Sequence, residues 1–274
     1  MKKTISILLS AILILSIFTA CLGRQNEPEQ SDSPKQTQDV AKTDDNPSES
    51  GATEKSEKKY TLTEGEKIET KYITEKYSYS GKFIPYNDES QHEEDYVLRL
   101  PQLKSSSDSA EDINKRIVDK YDEMIQKSIE TFETECDLYN KVSWDSYLYN
   151  DIISIVITTR DYMSESYRDY SVYNFNVKTE KEVTNSEMLK LAGLSESEFI
   201  KKAKSAAEEK FKSIEYRNPG IDDFYEECLK KTVSDENITS SLPMFLDDNG
   251  VLNTIVVFYQ TAGGEINNII VEVK

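Results

Sequence analysis

Histidine is almost absent from this 274-residue chain, which contains only His92. A zinc site of the two-histidine protease type is therefore excluded. A Ser-His-Asp triad would have to use His92, which lies in the polar stretch 91–95, and no Gly-x-Ser-x-Gly elbow occurs in the sequence. We interpret His92 as a residue of an exposed loop and expect no histidine-based catalysis.

Glycine is also scarce, with nine in the chain, which leaves little room for a phosphate-binding loop. The stretch Asp247-Asp248-Asn249-Gly250 has the beginning of a calcium loop, but the twelfth position is Phe258 instead of the required glutamate. We therefore predict a hairpin turn at residues 247–250. No metal and no cofactor are expected.

Basic residues are too few to balance the acidic ones: 33 against 51, a net charge of −18. Such a surface repels phosphates, so we predict no nucleic-acid partner. It would attract a cationic partner, although the same charge also serves solubility alone. The many carboxylates supply accidental pairs, so an enzyme that acts on cell-wall glycan through a carboxylate pair stays open as an alternative.

One long apolar run is present, at residues 4–20 after Lys2 and Lys3, which is the layout of an export signal. It falls short of the roughly 20 apolar residues that span a bilayer. It ends at Phe18-Thr19-Ala20-Cys21, which resembles a bacterial lipobox with Phe18 in place of the usual leucine. We predict a lipoprotein signal peptide at 1–21, acyl chains such as palmitate on Cys21, and a position on the extracytoplasmic face of the cell membrane. The alternative is an ordinary signal peptide with an incidental cysteine.

Large apolar side chains are nearly missing from residues 22–59, which are rich in Ser, Gln, Glu, Asp and Lys and contain three prolines. Such a segment buries too little surface to offset its ordering entropy. We predict a disordered linker that tethers the folded part to the membrane.

Residues 60–274 carry helical and strand patterns in separate blocks, which predicts an α+β fold with antiparallel sheets packed against a few helices. We divide this part into an N-terminal subdomain, 60–180, and a C-terminal subdomain, 181–274. The expected strands cover 67–80, 95–100, 138–149, 152–159, 167–177, 240–246, 251–260 and 266–273. The expected helices begin at Ser109, at the capping box Thr184/Glu187, at the capping box Ser195/Glu198, and at Asp222.

Cysteine is limited to three residues, of which Cys136 and Cys228 lie in the folded part. Export permits a disulfide between them, which would contribute about 4–5 kcal/mol for a loop of this length. Two buried free thiols are the alternative, since Cys228 lies on the apolar face of a predicted helix.

Tyrosine, in contrast, is abundant, with 17 residues, and several concentrate on the predicted strands from 138 to 177. Tyrosine is enriched at recognition surfaces because one ring offers both contact area and a polar tip. Tyr162, Tyr167 and Tyr170 are the candidate binding face. Tyrosine is also a common strand residue, which explains most of the others.

Four stretches appear in an order that is similar to a known family. They are Tyr96–Pro101, Asp112–Ile117, Tyr170–Thr179 and Phe245–Gly250, the last followed by Tyr259 and Gly264. This order resembles the paired extracellular domains of unknown function in RsiV-type anti-sigma factors, which sense lysozyme, and in PdaC-type peptidoglycan deacetylases. Members often have a glycine-rich turn with a histidine where this chain has residues 162–169, so no role of that turn is transferred. The anti-sigma members also have a cytoplasmic segment that this sequence lacks, so we do not expect it to hold a sigma factor.

The sequence therefore predicts a membrane-anchored, non-catalytic binding or sensing module of the cell envelope. Its expected partners are the membrane, through the lipid, and either a cationic protein such as lysozyme or peptidoglycan. A glycan-acting enzyme and a structural envelope lipoprotein are the alternatives.

Overall fold

The computed structural model describes residues 61–83, 93–132, 140–161, 168–214, 224–259 and 266–274. Within these residues, two β-sheets and four helices form an α+β structure, and all of them belong to the compact unit Ser56–Lys274. The predicted fold class is confirmed.

The first sheet contains seven strands in the order in which they occur in the chain. They are β1 (Leu62–Glu64), β2 (Ile73–Phe83), β3 (Glu94–Leu103), β4 (Asn140–Tyr149), β5 (Ile152–Asp161), β6 (Arg168–Asn176) and β7 (Lys181–Glu182). All neighbours pair antiparallel except β3 and β4, which run parallel and pair through Leu98 opposite Val142. Strands β4, β5 and β6 form the predicted antiparallel meander.

Helix α1 (Asp108–Thr131) connects β3 to β4 and covers one face of the first sheet. It begins earlier than the predicted Ser109, because Ser107 has extended backbone angles and its hydroxyl accepts a hydrogen bond from the Ala110 amide. The apolar side chains that recur every three to four residues face the sheet: Ala110, Ile113, Ile117, Tyr121 and Ile125. Each fully buried isoleucine contributes about 1.5–3 kcal/mol.

The first two long strands differ from the prediction. β2 begins at Ile73 instead of residue 67, and β3 continues through Pro101, where the prediction ended it. Pro101 lies opposite Glu75, beside a shift in the pairing between Glu75 and Tyr77. Such a bulge interrupts the hydrogen-bond ladder, so a proline without an N–H is tolerated there.

The second sheet has three antiparallel strands in the order β10-β9-β8, and three helices accompany it. The strands are β8 (Met244–Leu246), β9 (Leu252–Tyr259) and β10 (Ile266–Val273); the helices are α2 (Asn185–Leu191), α3 (Glu196–Ser213) and α4 (Tyr225–Thr232). Both predicted capping boxes, Thr184/Glu187 and Ser195/Glu198, are present in full. None of the helices in the described ranges is both long and apolar enough to cross a membrane.

Buried side chains form two clusters. The first lies between α1 and the first sheet. The second is built from α2, α3, α4 and the second sheet, and Ile152 of β5 also belongs to it. The meander contacts the second sheet directly, since Asn174 donates a 2.8 Å hydrogen bond to the carbonyl of Met244. The division into subdomains 60–180 and 181–274 stays a prediction.

Candidate binding groove

Of the predicted site residues, the structure describes two. Tyr170 lies on β6 and is half-buried, and Cys228 lies on α4 and is 7 % exposed. The others lie outside the described residues: Cys21, Cys136, Tyr162 and Tyr167. His92, which was predicted to lie in an exposed loop, is also outside them. Lipidation of Cys21 and a disulfide between Cys136 and Cys228 therefore stay predictions.

Three basic residues lie side by side across the meander. Lys141 of β4 is directly opposite Arg160 of β5, and Arg160 is directly opposite Arg168 of β6. Directly opposed side chains have Cβ atoms about 4.5–5.5 Å apart. We call these three residues the cationic row.

A second row lies two residues along each strand and carries hydroxyl groups. Ser143 is opposite Thr158, and Thr158 is opposite Tyr170. Side chains two positions apart on a strand point to the same face, so this hydroxyl row lies beside the cationic row. The isoleucines of β5 that alternate with these positions, such as Ile155 and Ile157, belong to the core under α1. Both rows therefore lie on the face of the sheet that α1 does not cover.

These two rows line a groove of about 400 Å³. Its walls also include Val97 of β3 and Ile270 of β10. The complete lining is Val97, Lys141, Ser143, Asp145, Tyr147, Val156, Thr158, Arg160, Arg168, Tyr170 and Ile270. Its volume is within the range of about 300–1,000 Å³ that small-molecule sites occupy.

The members of the cationic row differ in their surroundings. The Lys141 ammonium lies 3.4 Å from a carboxylate oxygen of Glu94 and 5.6 Å from the ring centre of Phe83. The Nε atom of Arg160 is buried and has no hydrogen-bond partner. Arg168 is exposed, and neither arginine forms an ion pair within the described part of the chain. The row thus keeps guanidinium donors available to a ligand.

Tyr147 lies at the other end of the groove. Its ring stacks on Phe245 of β8, with ring centres 5.0 Å apart and an angle of 21° between the planes. Burial raises the pKa of Tyr147, and the nearby Asp145 carboxylate raises it further. The hydroxyl therefore stays protonated at neutral pH, and it can donate a hydrogen bond.

Asp145 is the one carboxylate among the described residues that line the groove. Glycoside hydrolysis in most families needs two carboxyl groups on opposite sides of the scissile bond. The lining instead offers guanidinium, ammonium and hydroxyl donors. Its chemistry suits the binding of a polar, oxygen-rich ligand.

A larger concave surface, of about 510 Å³, lies between α3 and β10. It carries four lysines and two glutamates but no aromatic side chain among the described residues that line it. Lys274 there pairs with Glu272 at 2.6 Å. The groove on the meander is the better candidate because it adds tyrosines to its charged groups.

The buried Glu75 was not predicted from the sequence. It is 2 % exposed, and its carboxylate accepts hydrogen bonds from Arg99 at 3.2 Å, from the Trp144 indole at 2.7 Å and from the backbone N–H of Ile68 at 2.8 Å. A buried charge that is paired and hydrogen-bonded in this way stabilises one arrangement of its neighbours. Glu75 therefore has a structural role.

The stretch 247–250 forms the predicted hairpin turn between β8 and β9. The Asp247 carboxylate accepts hydrogen bonds from the backbone N–H groups of Asn249 at 2.9 Å and Val251 at 2.8 Å. Within the described residues, no group of three metal-ligating side chains is close enough to hold a metal ion.

Comparison with known proteins adds little. No family model matches the chain, and no curated protein matches its sequence. Among solved structures, it is similar to a member of the DUF3298 family from Bacteroides fragilis, at 9 % sequence identity and a TM-score of 0.37. The match covers 78 % of this chain and 90 % of that one. A likeness at this level carries no argument about function.

Proposed function

We propose that this chain is a lipid-anchored binding module of the bacterial cell envelope, that it has no catalytic activity, and that its groove binds cell-wall glycan. The observation that carries this proposal is the hydroxyl row, which includes Tyr170, together with Tyr147 in a groove of about 400 Å³. Sugar rings present hydroxyl groups at their edges and C–H groups on their faces. Tyrosine rings and side-chain hydroxyls match both features.

The sequence supports a place close to the cell wall. A disordered chain of the length of residues 22–59 has a typical end-to-end distance of roughly 30–40 Å. Anchored at Cys21, such a linker would hold the folded unit near the membrane while leaving it free to reorient. The groove would then meet wall polymer at short range.

A cationic protein such as lysozyme is the second candidate partner, and the net charge of −18 favours it. The described lining of the groove holds three basic residues and one acidic residue, so such a protein would bind to a different surface. A pull-down with lysozyme over a series of salt concentrations tests this candidate. Absence of binding at low salt would remove it.

Co-sedimentation of the full-length protein with purified peptidoglycan tests the proposed function. Tyr170→Ala should weaken binding by about tenfold, since it removes a half-buried aromatic surface from the groove. Tyr72→Ala is the matched control, because Tyr72 is also half-buried but does not line the groove. Failure of the parent protein to sediment with peptidoglycan would reject the proposal.

A further inference from the structure

The cationic row is unusual for a chain of this charge. The sequence contains 18 more acidic than basic residues, so carboxylate partners are plentiful. Several other basic side chains on α1 and the first sheet have such partners: Lys76 with Asp122, Arg116 with Glu182, and Lys120 with Asp169. The two arginines of the row form no ion pair within the described residues.

The position of the cationic row lowers the stability of the folded protein when no ligand is bound. Like charges directly opposite each other on neighbouring strands repel. Arg160 has such a neighbour on both sides, Lys141 and Arg168. Its Nε–H is also buried without an acceptor, and a buried donor without a partner carries a desolvation penalty. An anion between the guanidinium groups would remove both costs.

The adjacent groups suit an anion with several oxygens. An arginine guanidinium presents planar N–H donors that match carboxylate and phosphate oxygens. The hydroxyls of Thr158 and Tyr170 lie two positions from Arg160 and Arg168 on the same strands and face the same groove. The two rows together offer charged donors at one end of the groove and neutral donors next to them.

We infer that the cationic row binds an anionic group of the glycan, a carboxylate or a phosphate, and that the groove is therefore selective for acidic wall polymer over neutral glycan. This inference rests on the proposed function, since the same groove holds the sugar. Arg160 and Arg168 are the principal ligands of the anion. Lys141 forms an ion pair with Glu94 and therefore contributes less to the positive potential of the groove than the two arginines do.

The test compares Arg160→Gln and Arg168→Gln in the full-length protein with Arg116→Gln. Arg116 is the matched control because it lies on α1, away from the groove, where it pairs with Glu182 at 2.6 Å. Each substitution in the row should weaken co-sedimentation with peptidoglycan by about tenfold and reduce the salt dependence of binding. Arg116→Gln should bind as the parent does.

The thermal midpoint of unfolding separates binding from a structural role. If the row serves binding, Arg160→Gln should keep or raise the midpoint, since it removes a repulsion between opposed charges. A purely structural arginine would instead lower the midpoint when it is replaced.

Two treatments of the peptidoglycan identify the anion. Amidation of its carboxyl groups should abolish the contribution of the row if the ligand is a carboxylate. Removal of phosphate-containing polymers with acid should do so if the ligand is a phosphate. If binding is unchanged after both treatments, the inference is rejected.

These experiments distinguish the absence of an anion site from the absence of glycan binding. Arginine variants that bind like the parent, while Tyr170→Ala does not, would reject the anion site and leave glycan binding intact. A parent protein that binds no form of peptidoglycan would reject both.

Discussion

The indole nitrogen of Trp144 donates a 2.7 Å hydrogen bond to Glu75, a residue 69 positions earlier in the chain. Trp144 is on β4, Glu75 is on β2, and Arg99 on β3 binds the same carboxylate. One buried side chain thus joins three strands, including the two that meet in the parallel pair. Trp144 is the single tryptophan of the chain, so its fluorescence reports on this contact.

Replacement of Glu75 by alanine should lower the free energy of unfolding by about 3–5 kcal/mol, because it leaves the Arg99 guanidinium and the Trp144 N–H without their acceptor. Urea denaturation followed by tryptophan fluorescence measures the loss. Glu69→Ala is the control, since Glu69 is 64 % exposed and its ion pair with Lys104 should contribute less than about 1 kcal/mol. Equal losses in the two variants would contradict this account.

Gly250 should be much less tolerant of alanine than Gly193. Both have positive φ angles, 77° and 69°, which cost a residue with a Cβ about 1–2 kcal/mol. A Cβ at Gly250 would also lie 2.5 Å from the ring of Tyr149, whereas one at Gly193 would meet nothing within 4 Å. The urea midpoint should therefore fall further in Gly250→Ala. Equal falls in the two variants would show that the ring of Tyr149 moves aside freely and would contradict the prediction.

The two capping boxes should make stability depend on pH in the acid range. Backbone and hydroxyl hydrogen bonds from Thr184 lower the pKa of Glu187, and those from Ser195 lower the pKa of Glu198. A lowered carboxyl pKa gives stability that is present above the unfolded-state value near 4.5 and is lost as the pH falls through the folded-state value. The double variant Glu187→Gln/Glu198→Gln should therefore lose less stability between pH 6 and pH 3 than the parent does. Urea midpoints at the two pH values measure this, and an identical pH dependence in both proteins would contradict it.

Substitution of Cys21 should abolish lipidation. Cells grown with a labelled palmitate analogue should label the parent protein, and the label should disappear in Cys21→Ala, because the thiol is the predicted attachment point. Cys136→Ser is the control and should keep the label. A label that persists in Cys21→Ala, or a mature parent that still carries Met1, would contradict the lipoprotein prediction.

Local signals made much of the fold predictable. The capping boxes at Thr184 and Ser195 each depend on two residues three positions apart, so the sequence alone identifies them. The meander was predictable from its alternation. The short turn at Asn150 and Asp151 places Tyr149 opposite Ile152, and this register puts Lys141 opposite Arg160. Two of the three members of the cationic row could therefore be placed next to each other from the sequence alone.

Other features depend on contacts between distant segments. Arg168 joins the row across the connection 162–167, whose length does not fix the register of β6. Glu75 lies in a Tyr- and Thr-rich strand where a glutamate is usually exposed, and its partners lie 24 and 69 positions away. The parallel pairing of β3 with β4 depends on the packing of α1, which no local pattern specifies.

The parallel pair has a mechanical consequence. The antiparallel strands β1–β3 form one block and β4–β7 another, and a single backbone pairing, Leu98 with Val142, joins the two blocks directly. The predicted linker precedes the first block in the sequence, while the residues that line the groove lie mainly on the second block. We call the boundary between β3 and β4 the seam. If the protein binds wall polymer at one end and the membrane at the other, a pulling force acts across this seam. The contacts of α1 and the hydrogen bonds of the Glu75 carboxylate then resist separation of the two blocks. Under force, the two blocks should separate along the seam before either one unravels.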